Sequence, residues 1–394
     1  MNENRNIDQK GTSYVEAIHY VTGRPVRITI RDGLIHSISD MPDKAFSDIS
    51  IYVAPGLIDN QINGYAGIDF SKADITAEEI NKAAEAIWKD GVTTFLPTVI
   101  TNSHEHLLLN FKSLSDSFTD ENLRGSVPGF HLEGPYLSPE EGFYGTHPSA
   151  FVRKPDWNEF IEYQKAARGK IIQVTVAPEL MGADLFIEEC VRNGIIIALG
   201  HTNANAEKIK MATDRGARLS THLGNGCANQ LHRHNNHLWP QLAEDRLVPT
   251  IIADGHHLPK EVIQVFYKVK GSGNLILTSD VNYLIGLPPG TYKYLGADVV
   301  YTEDGLVKNV ARNCLAGASQ PLIRGVENIM DYTGCSLDEA IKMASGNVAE
   351  IYSLKDRGSL APGLRADLIL FSRMGKTLNI KQTYVKGVLV FSIV

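Results

Sequence analysis

Four ionisable residues far apart in the chain share one local setting. Glu133, His201, His222 and Asp280 each close a short run of apolar and small residues: Gly129–Glu133, Ile195–His201, Leu219–His222 and Leu275–Asp280. Gln61 and Asn63 follow a fifth such run, Gly56–Asp59, and His256 and His257 follow a sixth, Pro249–Asp254. Two neutral imidazoles with one or two carboxylates suit Zn²⁺ or Fe²⁺ and leave a coordination position open for water. No cysteine ends such a run, which excludes a soft thiolate site. A lone histidine after a strand is ordinarily a packed structural residue. Four such groups converging on one face are costly unless a cation or partner neutralises them, so together they read as functional.

Convergence needs parallel strands, and the spacing supplies them. Two further runs, Thr93–Thr98 and Ile172–Pro178, bring the strand candidates to eight between residues 55 and 280. Helical stretches separate several of them. Thr76-Ala-Glu-Glu79 is a capping box opening a helix that closes at Gly91. Asn205 caps a helix ending at Gly216, and Pro259 opens one ending at Gly271. Eight βα units predict an α/β fold closed as a (β/α)8 TIM-type barrel, whose strand ends meet at the face where active sites of that fold lie. Ser319–Thr333 and Leu337–Tyr352 read as helices covering the outside of the barrel. The flanks differ. Residues 12–53 and 358–394 alternate as strands do, with a turn at Asp32-Gly33, and predict a small β-sandwich domain built from both termini. The expected boundaries are 1–54 with 355–394 for that domain and 55–354 for the barrel.

Other polar residues carry less. His131, two positions before Glu133, fits either a supporting group or a core histidine. Asp254 reads as a loop-fixing carboxylate that accepts backbone amides. The run Leu231–His237 suits neither a helical pair nor a barrel end, and reads as a substrate or interface loop. Cys227 reads as a small filler residue, and Gly286–Gly290 as a loop with no phosphate-cradling pattern.

Composition excludes other classes. The 394 residues are 43% hydrophobic and 21% charged, as in a globular protein, with a net charge of −7. An acidic chain with no Lys/Arg cluster argues against nucleic acid or an anionic membrane as partner. Met1–Gly11 is polar and lacks the apolar core of a signal peptide. The four cysteines are scattered, with no CxxC pair, which fits a reducing compartment, and the protein is expected in the cytoplasm.

The motifs in order are Ala54–Gly64 (APGLIDNQING), His131–Pro135 (HLEGP), Gly145–His147 leading to Phe151–Pro155, Ala198–Asn203 (ALGHTN), Thr221–Asn225 (THLGN), Ile252–His257 (IADGHH) and Leu277–Asp280 (LTSD). With this spacing the chain resembles the N-acetylglucosamine-6-phosphate deacetylase family of the amidohydrolase superfamily over nearly its whole length. The tail Gly358–Leu368 is a superfamily feature only. The resemblance implies Glu133, His201 and His222 as ligands of one divalent metal, zinc first, with iron or manganese as alternatives. It implies Asp280 as the catalytic general base and acid, and His147, beside Thr146, as the group polarising the acetamido carbonyl. Gln61-Ile-Asn63 stands where many amidohydrolases carry a second-metal His-x-His. Gln61, Thr146, Asn225, Gly226, Arg233, His257 and the segment Leu315, Ala316 and Gly317 would hold the amino-sugar substrate and its phosphate. A homodimer is implied, with the 226–240 loop near the neighbour's site.

The chain also departs from that pattern. Asn225-Gly-Cys227 replaces Asn-Ala-Met, His232–Pro240 replaces a His-Arg-Glu-Pro-Gly-like segment whose arginine reaches a neighbour's phosphate, and Val281 replaces an alanine. The metal and acid–base positions are retained while the phosphate-binding segment is changed. A non-phosphorylated N-acyl sugar or another amide is therefore the alternative substrate. Two other readings are an inactive sugar-binding barrel and a glycosidase. A glycosidase would want two carboxylates flanking a sugar, whereas here the carboxylates come with histidines.

Overall fold

In strands such as Gly129–Glu133 and Ile172–Pro178 apolar residues alternate with polar ones, which then face the barrel interior. A computed structural model describes residues 13–42, 50–118 and 120–393; Met1–Gly11 lies outside them. Eight parallel strands run in sequence order, from Leu57–Ile62 through Val92–Ile100, Phe130–Glu133, Ile171–Val176, Ile196–Leu199, Leu219–Ser220 and Val248–Ile251 to Ile276–Leu277. Phe130, Leu132, Val174 and Val176 join the large core, while His131, Gln173 and Thr175 are equally buried on the opposite strand face. These inward groups satisfy one another. His131 lies between Thr98 (3.2 Å) and Thr175 (2.8 Å), and Thr175 meets Thr221 at 2.8 Å.

The seam between the first and eighth strands is closed by few groups. The Asp280 amide donates to Gln61 O at 3.0 Å, and the Asn63 amide to Val281 O at 2.8 Å. Below them the Asp59 carboxylate crosses from strand one to strand eight, accepting from Thr278 Oγ1 (2.9 Å) and the Ser279 amide (3.2 Å). Burial pushes the Asp59 pKa up to about 6, against those hydrogen bonds.

The helix expectations hold at Thr76, Asn205 and Pro259, which open helices Ala77–Lys89, Ala206–Asp214 and Lys260–Lys270. The later helix Leu322–Thr333 also forms. The segment 337–352 departs from expectation. It breaks at Ser345 into Leu337–Met343 and Gly346–Ile351, with Ser345 Oγ donating to Gly56 O at 2.8 Å. The second piece plugs the barrel floor, Val348 and Ile351 packing on Ile58, Ala198, Leu219, Val248 and Ile276. Tyr352 follows it inward, its hydroxyl accepting from Asn60 at 3.1 Å and donating to Gln173.

Both chain ends build one seven-stranded mixed sheet. It curls until Leu34 bridges Arg365, so that Val15, Ile28, Val53, Leu368 and Leu370 share a second core. Ile369 and Phe371 on the other face of the same strand join the barrel core. Inserted after the eighth strand is a four-stranded antiparallel sheet not expected from the sequence: Gly290–Tyr294, Ala297–Tyr301, Val307–Asn309 and Cys314–Leu315. Among the described residues, no helix is long and apolar enough to cross a membrane.

Arg365 and Asp367 fasten the terminal sheet to the barrel. Arg365 is 8% exposed and Asp367 4% exposed. Their Nε and Oδ2 atoms lie 3.0 Å apart without hydrogen-bond alignment, while Arg365 Nη2 donates to Asp367 Oδ1 (3.2 Å) and Arg124 O (2.9 Å). Removing either partner alone (Arg365→Met or Asp367→Leu) is expected to cost about 3–5 kcal/mol in chemical denaturation, and removing both to cost less than the sum. Single losses under about 1 kcal/mol that simply add would contradict this coupling.

Candidate functional site

The strands end with their backbone turned over. His201 (φ 51°), His222 (φ 30°) and Asp280 (φ 51°) all occupy the left-handed region, which non-glycine residues enter at a cost. The turn swings each side chain over the C-terminal mouth, where Glu133 arrives from the third strand. Glu133 Oε1 lies 3.0 Å from His222 Nε2 and 3.4 Å from His201 Nε2, and Oε2 lies 4.0 Å from His147 Nε2. Glu133, His147 and His201 each offer a ligand atom within 4.8 Å of the other two. His147, expected only beside the carbonyl, thus also reaches the cluster.

The tautomer of His201 follows from its neighbour. Its Nδ1 is 2.8 Å from Phe143 O, and a carbonyl can only accept, so the proton is on Nδ1. In the neutral ring, Nε2 then presents a bare lone pair to a carboxylate oxygen 3.4 Å away, and two acceptors face each other. A cation between them removes the conflict. Zinc bonds of 2.0–2.2 Å in a tetrahedron would set ligand atoms about 3.3 Å apart, within the span seen around Glu133. The residues present therefore fit a divalent metal. Gly226 (φ +57°) backs the ring, and a Cβ there would stand 2.7 Å from His201 Nδ1.

Protonation follows the same logic. Burial alone would raise the Glu133 pKa, but the imidazoles gathered around its oxygens hold it well below the usual range. Glu133 pushes His222 up in spite of burial. His147 is driven down to about 3, chiefly by burial and then by His201, and stays neutral. Asp280 is pushed up to about 6 by burial and by the Glu133 charge. Gln61 Nε2 donates to both carboxylates, at 2.9 Å to Glu133 Oε1 and 2.9 Å to Asp280 Oδ1, and Asn63 Nδ2 donates to Asp280 Oδ1 at 2.7 Å. A neutral amide thus bridges the two carboxylates.

Above the cluster opens a cavity of about 810 Å³. Thr146, Asn225, Gly226, His257, Leu315 and Gly317 line it with Glu133, His147, His201, His222 and Asp280. Gln61 is buried beneath and does not line it, and Ala316 is buried, its carbonyl accepting from Asn282 Nδ2 at 2.7 Å. Arg233 is also absent from the lining: it is exposed on the 231–237 loop, its carbonyl accepting from Trp239 Nε1 at 3.0 Å. Cys227 lies in the wall of the cavity. Asp254 holds the His256 and His257 amides, both at 2.9 Å, and its Oδ2 meets His257 Nδ1 at 2.7 Å, so His257 is aimed while His256 turns to Asp304 O.

The inserted sheet supplies the wall that sequence reasoning missed, with Tyr294, Leu306, Lys308, Asn313 and Cys314. Its signal was the alternation in Thr291–Tyr294 and Asp298–Tyr301 around Leu295-Gly296. That two-residue turn has φ values of 52° and 77°, but a leucine stands where Asn or Asp usually marks such a hairpin. Arg312 reaches back from this sheet to the carbonyls of Gly145 and His147, both at 3.1 Å.

A parallel barrel with a carboxylate–imidazole cluster and a buried aspartate at its C-terminal mouth defines a hydrolase of the metal-binding barrel class. The family model described as the amidohydrolase family matches residues 52–390. A Bacillus subtilis protein named N-acetylglucosamine-6-phosphate deacetylase is 31% identical over 355 residues, 88% of this chain and 88% of the relative. The crystal structure of the Thermotoga maritima enzyme of that name superposes with a TM-score of 0.85 at 28% identity, over 96% of this chain and 100% of that one. A Mycobacterium smegmatis variant in complex with N-acetyl-D-glucosamine-6-phosphate gives 0.85 at 25%, with the same coverage. The chain belongs to the amidohydrolase family and, within it, to the N-acetylglucosamine-6-phosphate deacetylases.

The Thr101 hydroxyl, 2.8 Å from His147 Nδ1, fixes that ring. Thr101→Val is expected to lower turnover by roughly 10–100-fold, as loss of such supporting bonds does, with an unchanged circular dichroism spectrum. Full activity in the variant would show that the ring needs no anchor.

Proposed function

We propose that the protein removes the N-acetyl group from N-acetylglucosamine 6-phosphate, giving glucosamine 6-phosphate and acetate. The observation that carries this reading is the meeting of Glu133, His201, His222 and Asp280 at one cavity floor, joined through Gln61. Glu133, His201 and His222 would hold one divalent metal, zinc first. When bound, that cation polarises an amide carbonyl and acidifies water.

The remaining roles belong to the chain. Asp280 accepts the proton of the attacking water and returns it to the departing amine. Gln61 and Asn63 occupy its Oδ1 and leave Oδ2 for that exchange. His147, kept neutral by burial, turns Nε2 toward the carbonyl oxygen and donates to it as negative charge develops. Asn225, Gly226, His257 and the Leu315–Gly317 segment would seat the sugar. A homodimer in the cytoplasm completes the reading; exposed Trp239, in the short helix Leu238–Ala243 with its indole N–H on the Arg233 carbonyl, supports a subunit contact there.

Asp280→Asn is expected to retain one metal per chain and lose about 10²–10⁴-fold in turnover. Glu133→Ala is expected to lose the metal by elemental analysis. Turnover at the wild-type rate in the Asp280→Asn variant would refute the acid–base assignment, and full metal content in the Glu133→Ala variant would refute the ligand assignment.

A further inference from the structure

The cavity contains one cation that the reaction chemistry does not use. Lys308 is the single lysine or arginine among the lining residues. It sits in the strand Val307–Asn309, where register places it opposite Leu315, so the two side chains share a face. Leu306, two residues before it, lines the cavity as well, whereas Val307 and Asn309 are buried on the other side. Lys308 is half-buried, and no carboxylate among the described residues lies within ion-pairing distance of its ammonium. Arg312, the neighbouring cation of the same sheet, is committed to the carbonyls of Gly145 and His147. Arg233 stays outside the cavity.

A half-buried ammonium with no carboxylate in ion-pairing reach loses hydration that an anionic ligand would replace. We infer that Lys308 is a specificity-determining residue that receives the phosphoryl group of the substrate, from the wall formed by the inserted sheet. The inference rests on the deacetylase reading above and adds the residue that would select the phosphorylated sugar. Because Lys308 touches neither Glu133 nor Asp280, its contribution belongs to binding.

Lys308→Met removes the charge and keeps the length. With N-acetylglucosamine 6-phosphate, KM is expected to rise roughly 10–100-fold, the range for a hydrogen bond to a charged group, while kcat stays within about threefold. Activity on unphosphorylated N-acetylglucosamine is expected to be unchanged, and Lys308→Arg to recover most of the loss. Equal losses on both sugars, or none on either, would overturn the inference while leaving the deacetylase reading intact. Calorimetric binding of glucose 6-phosphate against glucose keeps the two separable, since neither ligand has an amide. A preference for the phosphorylated ligand that Lys308→Met abolishes supports the inference even if no deacetylation is seen. A preference that survives the substitution overturns it.

Discussion

A carboxylate buried among imidazoles has to be neutralised, and much of the architecture around Glu133 answers that requirement. The Phe143 carbonyl fixes the proton of His201 on the outer nitrogen, so the inner one meets Glu133 with a lone pair. That carbonyl belongs to the loop that also carries Thr146 and His147, and Arg312 of the inserted sheet holds the loop by two of its carbonyls. Gly226 closes the far side of the ring. A change in the inserted sheet is therefore felt at His201 by way of Arg312 and the 143–147 loop.

The barrel supports the site by being polar inside. The chain from Thr98 through His131 and Thr175 to Thr221 ties four strands together beneath the cluster, and Asn60, Gln173 and Tyr352 form a lower network above the plug helix. Such networks in a low-dielectric interior hold geometry firmly when every member has a partner. At the seam, Asp59 does with a side chain what ladder hydrogen bonds do elsewhere, and so sets the height at which Asp280 leaves the eighth strand.

Legibility followed periodicity. The eight strands could be read because each is short, apolar and punctuated, and the site could be read because an ionisable residue ends four of them. The capping box at Thr76 and the caps at Asn205 and Pro259 were readable because capping is local chemistry. The break at Ser345 was not: a continuous amphipathic pattern gives no notice that half of it enters the barrel floor. The hairpin around Leu295-Gly296 escaped because leucine is a poor marker for a left-handed turn position. With the hairpin went Lys308 and Arg312, whose roles depend on where that sheet docks. Gln61 was legible as a site residue but not as a bridge between two carboxylates, since that depends on a distance no spacing encodes.

The left-handed backbone at His201, His222 and Asp280 has a bearing on how such a chain drifts under selection. Each of these residues holds a conformation that costs on the order of 1 kcal/mol and that glycine or asparagine would hold more cheaply. Replacing all three would remove that backbone cost, and would also strip the Glu133 carboxylate of the imidazoles that face it. Two histidines and an aspartate stand there at odds with the local backbone, and they bring to the cavity floor imidazole and carboxylate groups that neither glycine nor asparagine carries.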